Sequence, residues 1–132
     1  MILPDTSAWI EFLRRTGHPI HLRFRAEVER GEGLAFTEPI AMEILAGARS
    51  GGEEGEIRAR LFAHELFPVR GLEDFEAAAE IYRTCRSAGE TIRSLIDCLI
   101  ASVAIRNDLE VLHADTDFDV IARHTGLRIA VL

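Results

Sequence analysis

The chain has 132 residues and a formal net charge of −7, from 22 carboxylates against 15 basic residues, all of them arginine. One domain's worth of chain with 48% apolar residues is too apolar for disorder and large enough to fold without disulfides or a structural metal. The missing lysine excludes a G-x-x-x-x-G-K-[ST] phosphate loop, Schiff-base chemistry, a kinase strand lysine and an ordinary phospho-receiver, and the acidic balance counts against non-specific nucleic-acid binding.

Met1 to Leu3 predict a strand that ends at Pro4 and Asp5. Thr6 or Ser7 caps the following helix, where Trp9, Ile10 and Leu13 recur at helical spacing until Gly17. Pro19 suits the first turn of a second helix carrying Ile20, Leu22, Phe24 and Val28. Leu34 to Phe36 predict a short strand, and Thr37 an N-cap for a third helix over about 38–49 that buries Ile40, Ile44, Leu45 and Ala48. Ser50 to Gly55 read as a flexible loop. A helix with Ile57, Leu61 and Phe62 follows, then an extended piece from Phe67 to Val69.

Residues 72–88 predict a helix with Phe75, Ala78, Ala79, Ile81 and Tyr82, broken at Gly89. Residues 94–106 carry a wide apolar helical face through Leu95, Ile96, Leu99, Ile100 and Val103. Leu109 to Ala114 read as a fourth strand, 117–125 as a short helix, and Leu127 to Leu132 as a closing strand. Short strands separated by helices make a three-layer α/β/α fold with a short-stranded parallel sheet, one domain over 1–132. Cys85 and Cys98 match no zinc spacing and are expected to be inert core thiols. No basic leader and no apolar run near 18 residues is present, so the expected location is the cytoplasm, away from any membrane.

In an open α/β sheet, ligands bind beyond the carboxyl ends of the strands. Asp5 lies at that end of the first strand, and Asp115 and Asp117 lie just past that end of the fourth. They converge if the two strands are neighbours. Glu43 interrupts an apolar helical stretch and has the small residues Ala46, Gly47 and Ser50 on its face. Asp97 interrupts another, in the first turn of its helix. Each acid alone fits a cap, a turn or a solvated side chain. Together they gather at one end of the sheet, where so many carboxylates need cations to stay ionised. Oxygen ligands suit Mg²⁺ or Mn²⁺, and phosphodiester hydrolysis is the natural chemistry of such a site. His113 is expected on a sheet face, and His18 and His21 lack a third ligand.

Asp5-Thr6-Ser7-Ala8 after the opening strand, Glu43, the segment Ser94-Leu95-Ile96-Asp97-Cys98-Leu99-Ile100-Ala101, and Leu112-His113-Ala114-Asp115-Thr116-Asp117-Phe118 resemble the PIN domain, and more narrowly the VapC toxins of type II toxin–antitoxin systems. The resemblance covers essentially the whole chain. It implies a PIN-like fold and an Mg²⁺- or Mn²⁺-dependent endoribonuclease leaving 5′-phosphate and 3′-hydroxyl ends. It also implies an RNA substrate such as tRNA or rRNA, a homodimer, and a VapB-type antitoxin that blocks the acidic site. Carried over by position, Asp5, Glu43, Asp97 and Asp115 match the catalytic quartet. Asp5, Asp97, Asp115 and Asp117 are the candidate metal ligands, with Asp115 favoured over Asp117 for direct contact. Thr6, Ser7 and Ser94 would support ligands or phosphate by hydrogen bonding.

Two divalent ions would bring the formal charge from −7 to about −3. Arg14, Arg15, Arg23, Arg25, Arg49, Arg86 and Arg93 are candidates for holding RNA, whereas Arg58, Arg60, Arg106 and Arg123 read as ordinary exposed helix residues. Trp9, Ile10, Leu13, Leu22 and Phe24 fit either the core or a groove for a partner. The acidic stretches around 53–56 and 73–80 read as the solvated side away from RNA. A nuclease of RNA maturation, an inactive binding module of the same fold, and a metal-dependent phosphatase are the competing readings.

Overall fold

The elements of the computed structural model, which describes residues 1–132, are in chain order β1 (Ile2–Pro4), α1 (Thr6–Leu13), α2 (Pro19–Arg30), β2 (Ala35–Phe36), α3 (Glu38–Ala46), α4 (Gly51–Leu61), β3 (Glu65–Leu66), α5 (Gly71–Ser87), α6 (Leu95–Arg106), β4 (Glu110–Leu112), α7 (Thr116–His124) and β5 (Arg128–Ile129). The fold is α/β, with helices layered about a short-stranded parallel sheet. β4 lies between β1 and β5, both parallel to it, and β2 pairs with β3 separately. Ile2, Leu3 and Pro4 face Glu110, Val111 and Leu112 in register. The first and fourth strands are therefore neighbours, as convergence of the acids requires. No helix is long and apolar enough to cross a membrane.

The core gathers Leu3 from β1, Trp9 from α1, Phe24 from α2, Ile100 from α6, Leu112 from β4 and Phe118 from α7, all fully buried. α6 is enclosed on every side: each residue from Asp97 to Ala104 is buried. Ala101, Ser102 and Ala104 keep its surface thin enough to pack against α5 and α7. Cys85 and Cys98 are free thiols in this core, and burial raises both pKa values, Cys98 to about 12. Trp9 and Phe24 are core residues in edge-to-face contact, with centroids 4.8 Å apart, whereas Ile10 and Leu22 stay exposed.

The structure corrects the sequence reading in several places. Ser50 to Gly55 is not a loop. Ser50 caps α4 by accepting from the Glu53 backbone N–H, Glu53 and Glu54 sit at the favourable end of the helix dipole, and Ile57 and Leu61 anchor the helix in the core. These contributions outweigh the low helix propensity of Gly51, Gly52 and Gly55. The third strand is Glu65–Leu66 rather than Phe67 to Val69, because its partner β2 has only two residues to offer. Phe75, Ala79 and Leu95 are exposed rather than packed.

The stretch around 73–80 is not wholly solvated. Asp74 is buried, and Arg106, expected to be an ordinary exposed residue, holds it through both carboxylate oxygens at 3.1 and 2.6 Å. Arg106 also donates to the Pro68 carbonyl at 2.9 Å, so one guanidinium ties α6 to α5 and to the segment before it.

Candidate active site

Asp5 follows β1 directly and caps α1. Its Oδ1 accepts from the Ala8 backbone N–H at 3.0 Å and from Ser7 Oγ at 2.7 Å. Ser7 Oγ in turn accepts from the Ala114 backbone N–H at 2.8 Å, which fastens the segment after β4 to the segment after β1. Parallel pairing of β1 and β4 brings these two strand ends together. Asp115 caps α7 through the Asp117 backbone N–H at 3.0 Å, and Asp117 lies in the first turn of that helix. Asp97 reaches the same place from the first turn of α6.

Carboxylate oxygens of Asp97, Asp115 and Asp117 lie within 4.8 Å of one another. Asp97 Oδ2 is buried and has no hydrogen-bond partner. Buried polar atoms are almost always satisfied, so this oxygen is open to a proton shared with Asp117 or to a cation. The donors are all carboxylate oxygens, a set suited to Mg²⁺ or Mn²⁺ and not to zinc.

The electrostatics agree with the geometry. Burial raises the Asp97 carboxyl to about 8, with repulsion from Asp115, Asp5 and Asp117 acting in the same direction. Burial also raises Asp5, to about 6, despite the hydrogen bonds from Ser7 and Ala8. For both acids the folded-state pKa lies above the unfolded one. Without metal, the folded chain therefore holds the extra protons, and their contribution to stability is full below about pH 4 and lost as pH rises through about 8 for Asp97. Between pH 6 and 8 this amounts to a fall of about 2 kcal/mol from Asp97. Thermal melts in EDTA are expected to show a drop of roughly 5–10 °C over that range that is much smaller in Asp97→Asn.

Glu43 is tied to the start of α1. Its Oε1 accepts from Thr6 Oγ1 at 2.7 Å, which places α3 beside the start of α1. It is not among the three clustered acids. Together with Thr6, Arg14, Gly47 and Arg49 it lines a cleft of about 310 Å³. Glu53 lines the same cleft. Ser94 occupies the N-cap position of α6 without a side-chain capping bond.

Of the arginines, Arg14 and Arg49 face the Glu43 cleft, and Arg15 and Arg25 face a neighbouring cleft of about 860 Å³ with Phe12, His21 and Arg60. Arg23 is engaged elsewhere, pairing with Glu27 and the Val131 carbonyl. Arg86 lies over the Tyr82 ring. Arg93 is bound to Asp115 and Asp117. His18 and His21 each use Nδ1 to accept a backbone N–H, from Ile20 and from Gly17. His113 accepts from the Asp115 backbone N–H through Nδ1 and meets Asp119 through Nε2.

The sequence did not reveal the Thr6–Glu43 bond, the double role of Ser7 or the partners of Arg93. Only the motif order around Asp5 hinted at the first two. Ser7→Ala is expected to cost about 1–2 kcal/mol, because Asp5 loses a donor and Ala114 an acceptor. The Asp5 carboxyl should titrate above its present value of about 6. Melts and ¹³C NMR of the Asp5 carboxyl in EDTA measure both.

Residues 2–124 match the PIN domain family. The chain is 47% identical over 131 residues to VapC ribonuclease Mb1587 of Mycobacterium bovis and to ribonuclease VapC11 of Mycobacterium tuberculosis, covering 98% of both partners in each case. It is 29% identical over 124 residues to ribonuclease VapC51 of Mycobacterium tuberculosis, covering 94% of this chain and 87% of that one. DNA-bound VapBC from Salmonella typhimurium shares the fold at a TM-score of 0.74 and 19% identity, over 98% of this chain and 96% of that one. FitAcB from Neisseria gonorrhoeae shares it at 0.70 and 21% identity, over 99% and 97%. With the acid cluster between the end of β4 and the start of α6 and this likeness along nearly its full length, the chain belongs to the PIN-domain family, among the VapC ribonucleases.

Proposed function

We propose that the chain is a divalent-metal-dependent endoribonuclease, acting in the cytoplasm as a single PIN-like domain over 1–132 and as the toxin of a VapBC-type pair. Its RNA substrate is of the tRNA or rRNA class. Its partners are a VapB-type antitoxin and a second copy of the chain. The observation that carries this reading is Asp97, whose buried Oδ2 has no partner and whose carboxylate comes within 4.8 Å of those of Asp115 and Asp117. The names and complexes of the relatives support the ribonuclease and antitoxin parts.

Asp97, Asp115 and Asp117, with Asp5 behind them, are the residues that would hold Mg²⁺ or Mn²⁺. Bound there, the ion supplies an activated water and charge neutralisation at the scissile phosphate. The chain's own groups do the rest. Ser7 fixes the Asp5 carboxylate, with one oxygen facing its donors, so that no rotation is needed on binding. Thr6 holds Glu43 at the mouth of the cleft, where it is placed to orient water or the ribose. Arg14 and Arg49 beside it are placed to take the flanking phosphates.

The test is incubation of the purified chain with total tRNA and rRNA, with Mg²⁺ or Mn²⁺, with EDTA, and with Asp97→Asn. Discrete cleavage lost in the last two arms supports the reading, and cleavage that survives Asp97→Asn removes the site assignment. Growth arrest on expression, relieved by a small protein encoded alongside, separates a toxin from a nuclease of RNA maturation.

A further inference from the structure

The clustered acids are not alike in their partners. Asp97 Oδ2 has none, whereas Asp115 and Asp117 already share a cation that belongs to the chain. Arg93 lies in the segment between α5 and α6. Its Nε donates to Asp117 Oδ1 at 3.4 Å, and its Nη2 donates to Asp115 Oδ1 at 3.1 Å and to Thr116 Oγ1 at 3.4 Å. Its backbone N–H separately donates to Asp117 Oδ2 at 3.2 Å.

Two features fix what the guanidinium contributes. The backbone N–H already ties the segment to Asp117, so anchoring does not depend on the side chain. The side chain is 71% exposed and covers the carboxylates from outside, so it adds charge and occupies oxygens without filling the core. An oxygen that accepts from a guanidinium is, while it does so, less available to a metal, and a positive charge at this distance opposes a dication.

We propose that Arg93 is a positioning residue that serves as the site's built-in counter-cation and competes with the divalent ion for Asp115 and Asp117, setting the metal concentration at which the site fills. The inference rests on the reading that these carboxylates hold such an ion. It also assigns Arg93 a role in the metal-free chain other than that of a free RNA hook.

The test is calorimetric titration of the metal-free protein with Mn²⁺ at fixed pH, for the wild type, Arg93→Gln and Arg93→Lys, with Arg93→Met in place of Gln if that variant melts early. Loss of the guanidinium is expected to tighten Mn²⁺ binding by about tenfold, and Arg93→Lys to stay near the wild type. A wild type too weak to titrate beside a variant that binds gives the same support. Equal or weaker binding by Arg93→Gln overturns the inference and leaves the metal reading standing, because a merely structural role weakens the site. Binding by Arg93→Lys as tight as by Arg93→Gln also overturns it. Absence of Mn²⁺ binding in every variant overturns both.

Discussion

Asp97→Asn is expected to lower RNA cleavage by at least about 10³-fold and, at the same time, to stabilise the metal-free chain at pH 8. A ligand that neutralises developing charge on a phosphate is worth several kcal/mol in the transition state, which sets the first figure. The second effect follows from the same carboxylate. Asp97 is buried beside Asp5, Asp115 and Asp117, and one of its oxygens has no partner. Ionising it without metal is costly, which is why its carboxyl is pushed up to about 8. Asparagine keeps the shape and removes the charge, so relative to the wild type the folded state gains about 3–4 kcal/mol at pH 8 and little at pH 5, where Asp97 is already protonated. Mn²⁺ reverses the order, since it stabilises the wild type by mass action and has less to bind in the variant. Melts at the two pH values with and without Mn²⁺, alongside the cleavage assay, read all of this. A variant that is less stable than the wild type at pH 8 in EDTA would show that Asp97 is not under electrostatic strain.

Arg106→Leu is expected to cost about 3–5 kcal/mol, a large share of the stability of a domain this size. Asp74 is buried and fully engaged: Arg106 holds both oxygens and the Arg70 backbone N–H donates to Oδ2 at 2.7 Å. These bonds, the one from Arg106 foremost, lower its pKa. A lowered carboxylate pKa contributes stability that is present above about pH 4 and lost as pH falls through the folded-state value. The deficit of Arg106→Leu should therefore be largest near neutral pH and shrink in acid, where Asp74, left without its guanidinium in the variant, relieves its buried charge by taking up a proton. Replacing both partners, as Asp74→Leu with Arg106→Leu, should recover most of the loss, because the expensive species is a buried charge left alone. Urea unfolding at pH 7 and pH 3.5 tests the sign. No recovery in the double variant would mean that the guanidinium matters for packing or for the Pro68 carbonyl rather than for Asp74.

The positions of the acids relative to the strands were legible in the residues. Asp5 after an apolar run, Asp97 in a first turn, and Asp115 and Asp117 after another run could be placed because strand ends and helix starts depend on local composition. The strand alternation also gave a parallel sheet, and the motif order gave the family. Errors fell where a local signal was overridden. Three glycines read as a loop, but a serine cap, two acids and two core side chains made a helix of them. Arg106 read as solvated because its partner lies 32 residues earlier.

What the sequence determined by itself is thus the inventory: which chemistry is available, at which end of the sheet, without lysine and with a surplus of carboxylate. What the tertiary structure decided is the pairing. Parallel register between β1 and β4 sets Ser7 between Asp5 and Ala114, burial leaves Asp97 Oδ2 unpartnered, and the segment before α6 lays Arg93 across Asp115 and Asp117. Hydrogen bonds and ion pairs act over a few ångströms, and residues that distant along the chain meet only once the core has fixed the elements that carry them.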